Sequence, residues 1–114
     1  MIEKVMKALT DRDSKAFAAC FAPFGEYIDY CPSLNGRPNI YLYGNQCMDM
    51  YFGQQFSGKS LKAAENLAVA DPVIESKDCA NYFGAYGGPY IYARLHIVEY
   101  DSDGLIKKAV VYPA

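Results

Sequence analysis

Tryptophan is absent from this chain, histidine occurs once, and no two cysteines are spaced C-x-x-C. Cys20, Cys31, Cys47 and Cys79 lie far apart, with only His96 to join them. No zinc site is expected from that set, and the cysteines read as reduced thiols filling a core. Neither a metal nor a cofactor is expected. There is no run of lysines or arginines, and the formal net charge is -2. That excludes a surface built for nucleic acid or for an anionic membrane. No apolar stretch approaches the ~20 residues that cross a bilayer. The opening segment, MIEKVMKALTDRD, is amphipathic and charged, unlike a secretory leader, so a cytoplasmic location is expected.

What is present points to one globular unit. A chain of 114 residues is large enough for a real core and fits a single domain over residues 1–114. Hydrophobic residues make up 52% and charged residues 21%, which is not a disordered composition. Eleven tyrosines bring the aromatic share to 15%. A minimal core needs fewer, so a cavity wall or an interface is implied.

Periodicity divides the chain in two. Ile2, Val5, Met6 and Leu9 form one helical stripe. Asp11 or Asp13 caps a second helix bearing Phe17, Cys20 and Phe21, and Pro23 and Gly25 end it. EYIDYCP, residues 26–32, is aromatic and β-branched and reads as a strand stopped by proline. IYLY is a short strand, and Asn45 caps a third helix with Met48, Tyr51, Phe52 and Phe56 on one side. After about residue 62 the pattern changes. LAVADPVIES, CANYFGAY, YIYARLHIVEY and LIKKAVVY are strand-like runs separated by SKD, GGP and DSDG, which are turn signals. Short turns between successive strands mean antiparallel pairing.

One string suggests a different protein. GQQFSGKS, residues 53–60, has the G-x-x-x-x-G-K-[ST] spacing of a phosphate-binding loop. That loop needs a buried parallel strand before it and a helix after it. Here its first glycine falls inside or at the end of an amphipathic helix, and a meander follows (SLKAAENLA is the one weak helical stretch). The string is read as a coincidence.

RDSKAFAACFAP followed by EYIDYCP, then the GNQCMDMYF helix, then HIVEYDSDGLIKKAVVY as a closing hairpin: this order resembles the nuclear transport factor 2-like superfamily. Ketosteroid isomerase, scytalone dehydratase and the SnoaL-like polyketide cyclases share that fold. The resemblance spans about residues 2 to 112. It implies an α+β fold with N-terminal helices packed on a curved antiparallel sheet, a cystatin-like cone or α+β barrel. It also implies a largely apolar pocket for a small hydrophobic molecule, and frequent homodimers through the sheet.

The residues that could act there follow from strand alternation. Tyr27, Asp29 and Cys31 share one face of EYIDYCP. If that face points inward, Asp29 is a carboxylate among aromatics, with a pKa raised by desolvation toward a general-base value. Its position matches the base of ketosteroid isomerase, which the resemblance implies as its role. The alternative is an aspartate at the strand mouth, solvated or bonded to the turn at Ser33. In YIYARLHIVEY, His96 shares a face with Tyr90, Tyr92, Arg94, Val98 and Tyr100, opposite Ile91, Ala93, Leu95 and Ile97. By resemblance His96 stands where the isomerase carries a protonated acid in its oxyanion hole. The alternative is a core histidine bonded to a tyrosine. The family's oxyanion tyrosine would fall near Val5, which has no donor; Tyr27, Tyr51 and Tyr92 are the candidates to replace it. The expectation is therefore Asp29 and His96 as catalytic groups in one pocket lined by Phe17, Phe21, Tyr27, Phe52, Val98 and Tyr100. The Ile91, Ala93, Leu95 and Ile97 face would then form the dimer contact. Two functions stay open: cofactor-free proton transfer by an isomerase, dehydratase or cyclase, or a non-catalytic ligand-binding or dimerisation domain.

Overall fold

A computed structural model of the chain describes residues 1–57 and 67–114. Helix α1 runs over Ile2–Asp11 with Ile2, Val5, Met6 and Leu9 buried, so the sequence stripe is the packed face. Helix α2, Ser14–Ala19, is capped by Asp13, whose carboxylate accepts from the Ala16 amide at 3.0 Å. It ends earlier than the sequence suggests. FAPFG belongs to strand β1, Phe21–Asp29, and not to the helix end.

Pro23 is tolerated there because the pairing of β1 with its neighbour shifts register between Phe21 and Glu26. A bulge is where a strand accepts a residue without an amide hydrogen. Gly25 is required at the same bend: a Cβ there would lie 2.7 Å from the carbonyl oxygen of Ile106. After β1 come a single 3-10 turn over Pro32–Asn35, strand β2 over Ile40–Tyr43, and helix α3 over Asn45–Ser57. Asn45 is thus the first helical residue. Strands β3 (Leu67–Ile74), β4 (Cys79–Tyr86), β5 (Ile91–Tyr100) and β6 (Ile106–Pro113) complete the chain.

The six strands form one sheet in the order β2-β1-β6-β5-β4-β3. The last four are antiparallel neighbours, as their short turns require. The sheet as a whole is mixed, however, because β1 pairs with β6 in parallel. Short-turn reasoning speaks only of successive strands. β1 and β6 are joined through the rest of the chain, so nothing forces them antiparallel. The fold class is α+β, with α1 packed against β3 and β4, and α3 against β1, β2 and β3.

Gly53 to Ser57 lie within α3, and the strand before them is β2, an edge strand. Gly58, Lys59 and Ser60, the rest of the phosphate-loop string, lie outside the described residues. So does most of the weak helical stretch SLKAAENLA, whose Leu67 and Ala68 begin β3.

Candidate functional site

Alternation along β1 buries Tyr27 and Asp29 and leaves Glu26 and Ile28 on the other face. The register carries this inner face across the sheet. Asp29 lies opposite Val111, Val111 opposite Leu95, and Leu95 opposite Ala80; all are inaccessible to solvent. A carboxylate in such a row is costly unless it finds donors.

Asp29 has them. Its Oδ1 accepts the Cys31 amide at 2.9 Å, which ends the strand in a tight turn. Its Oδ2 accepts the Tyr86 hydroxyl at 2.6 Å. The Cys31 thiol stands against the same carboxyl. Behind Tyr86, its hydroxyl and that of Tyr82 share a hydrogen bond of 2.6 Å in which either can donate. Burial pushes the Asp29 pKa up to about 6, while the bonds from Tyr86 and Cys31 hold it from rising further. The same burial raises Cys31 and all three tyrosines, Tyr27, Tyr82 and Tyr86, so they stay neutral donors. Tyr27 is fully buried near Tyr82, but its hydroxyl has no hydrogen-bond partner among the described residues.

Tyr82 and Tyr86 are partners that sequence reasoning missed. The signal was Y-x-G-x-Y within CANYFGAY, which puts Tyr82, Gly84 and Tyr86 on one strand face. A Cβ at Gly84 would lie 2.6 Å from the Tyr86 ring and 3.0 Å from the Tyr82 ring. The glycine makes room for both.

His96 does not join Asp29. In β5 the buried side chains are Ile91, Ala93, Leu95 and Ile97, so His96 points out of the opposite face, between Cys79 and Val110 in register. Val98 lies on that outer side as well, 52% exposed. Tyr100 lies past a register shift, with its hydroxyl donated to Asp78 at 3.0 Å. The expected phase of β5 is therefore inverted. The face holding four aliphatic residues removes more apolar area from water than one holding Arg94 and His96, and burial decides the choice. The expected dimer face is accordingly the core.

Phe17, Phe21, Tyr27 and Phe52 are brought together, as packed core. Their rings meet at 4.6 to 6.1 Å between centroids, and none is more than 1% exposed. They fill space against the inner face, with Tyr27 in their midst.

Helices laid on one face of a mixed six-stranded sheet give the chain the nuclear transport factor 2-like fold, also described as cystatin-like. The particular likenesses are distant. The chain is similar to a SnoaL-like protein of unknown function from Burkholderia thailandensis, with 17% identity, a TM-score of 0.63, and coverage of 99% of this chain and 91% of that one. It is similar to a nuclear transport factor 2-like protein of unknown function from Cytophaga hutchinsonii, with 14% identity, a TM-score of 0.58, and coverage of 99% and 86%. A third likeness is to a protein with a ketosteroid isomerase-like fold from Catenulispora acidiphila, solved in complex with trimethylamine. There the identity is 16%, the TM-score 0.60, and the coverage 99% and 84%. No protein-family model and no curated protein matches the sequence.

Proposed function

We propose that the protein binds a small hydrophobic molecule between helices and sheet and, without a cofactor, moves a proton on it as an isomerase, dehydratase or cyclase does. The observation that carries this reading is Asp29. It is a carboxyl with no solvent exposure, with hydroxyl and amide donors around it and a pKa raised to about 6. Such a group is largely ionised at neutral pH yet basic enough to take a proton from a carbon beside a carbonyl. With His96 on the outer face, Tyr86 and Tyr82 are the hydroxyls that stand with the base. Four free thiols fit the reducing cytoplasm as its location.

The test is exchange of the α-protons of small cyclic ketones in deuterated water. Wild-type protein should speed the exchange, with a rate that rises with pH through about 6, and Asp29→Asn should lose it. Exchange at the buffer rate in both proteins would end the catalytic reading.

A second reading, a non-catalytic ligand-binding or dimerisation domain, is favoured by the outer face of the sheet. Phe83 and Tyr92 pair there at 4.8 Å while 42% and 41% exposed, and Val98 is exposed farther along the same strand. A homodimer through this face would cover them. Proton transfer and dimerisation are compatible.

A further inference from the structure

The face of the sheet away from the helices carries a cluster that neither the core nor the Asp29 site uses. Strand β2 lies at the sheet edge against β1, with Tyr43 opposite Glu26 and Tyr41 opposite Ile28 in register. Alternation puts these four side chains on the outer face, since Tyr27, Asp29 and Leu42 are the buried ones. Tyr41 and Tyr43 are exposed, yet each ring is braced by another. Tyr30 meets Tyr41 edge-on at 6.3 Å, and Phe24 stacks on Tyr43 at 6.2 Å. A depression of about 260 Å³ is lined by Glu26, Ile28, Tyr41, Leu42 and Tyr43.

Glu26 is the odd member of this cluster. It is partly buried, and among the described residues its carboxylate makes no hydrogen bond and no ion pair. Its register partners are Tyr43 on one flank and Lys108 of β6 on the other, and the Lys108 ammonium does not bond it. An anion in the depression would be repelled by the carboxylate. A cation is attracted by the carboxylate and by the negative faces of the rings. A compact, strongly hydrated ammonium keeps its water and gains little from a ring. A methylated ammonium is weakly hydrated, and its apolar methyl groups suit Ile28 and the two tyrosines.

We propose that Glu26, Ile28, Tyr41 and Tyr43 form a binding site for a methylated ammonium group. The tyrosine rings take its methyl groups, Ile28 is the floor, and Glu26 neutralises its charge. The site lies across the sheet from Asp29, and β6 separates it from Tyr92 on β5. It is therefore independent of proton transfer and of the dimer face. Two sources carry the same chemistry: a free small ion such as choline, and a trimethylated lysine on a peptide.

The test is a titration of choline into isotope-labelled protein at neutral pH, with the Ile28 methyl and the Tyr41 and Tyr43 ring resonances followed by nuclear magnetic resonance. Neohexanol, the neutral isostere in which carbon replaces the nitrogen, tests the charge, and ammonium chloride tests the methyl groups. Choline should shift the three sets of resonances saturably, and neither control should. Glu26→Gln and Tyr43→Leu should each weaken choline binding about threefold. Lys108→Met removes a competing cation and should tighten it about twofold, a gain that a damaged fold would not produce. A short peptide carrying trimethyl-lysine is the second arm. Affinity equal to that of choline assigns the site to free ions, and tighter binding assigns it to a peptide. If neohexanol binds as well as choline, the depression is only apolar and the proposal falls. It falls equally if choline moves none of the three sets of resonances, or if Glu26→Gln and Lys108→Met both leave its affinity unchanged.

Discussion

Tyr86, at the end of β4, donates its hydroxyl hydrogen to Asp29, at the end of β1, across 2.6 Å and 57 residues of chain. The bond joins strands that are not neighbours, since β6 and β5 lie between them. It reaches through the space under the sheet and therefore reports on that space.

The pH dependence of stability follows from this site. Asp29 has a folded pKa of about 6, above its ordinary 3.8. A raised carboxyl pKa contributes stability that is full below about pH 4 and is lost as pH rises through about 6. Its ionisation thus costs the native state about 3 kcal/mol at pH 8. Asp29→Asn, which keeps the shape without the charge, should leave stability near pH 4 almost unchanged and raise it by roughly that amount at pH 8. Urea denaturation at the two pH values measures the difference. A variant less stable than wild type at pH 8 would show that the ionised carboxylate is a structural anchor.

Tyr86→Phe removes a donor that holds the Asp29 pKa down. The pKa should rise further, with a stability loss of about 1–2 kcal/mol from the unmet carboxylate oxygen. Carboxyl carbon titration reads the first effect and urea denaturation the second. An unchanged titration would mean that the hydrogen bond is absent in solution.

Phe17 touches Phe21, Tyr27 and Phe52 and has no exposed surface. As a packed core residue it should cost about 3–5 kcal/mol when replaced by alanine. A loss below about 1 kcal/mol would mean that Phe17 borders an open cavity instead.

Gly84→Ala should be destabilising by about 1–3 kcal/mol, because the new methyl would meet the rings of both Tyr82 and Tyr86. It should also disturb the Asp29 titration, which alanine substitutions at exposed sites would not do. Normal titration in a stable variant would contradict the close packing at Gly84.

The proposed homodimer is checked by sedimentation equilibrium at micromolar concentration. Wild type should be a dimer, and Tyr92→Glu on the outer face should be a monomer with its fold kept. A monomeric wild type would leave the exposed aromatic face without this explanation.

The sequence by itself determined the kinds of element and their order. The helical stripes, an aspartate cap at Asp11 or Asp13 and the turn signals between the last strands are local facts, fixed within a few residues by backbone geometry and side-chain period. That Asp13 is the cap, and that FAPFG joins β1 instead of ending α2, the tertiary structure decided. The sequence also determined that Tyr27 and Asp29 share a face, because alternation along a strand is geometric. Which face is buried is another matter. Alternation gave β5 two faces with equal regularity, and only packing chose Ile91, Ala93, Leu95 and Ile97 over His96, because burial free energy depends on what the other elements present. The parallel pairing of β1 with β6, and the meeting of Tyr86 with Asp29, were likewise decided by the tertiary structure. Both join residues far apart in the chain, and local propensity carries no information about partners at that distance.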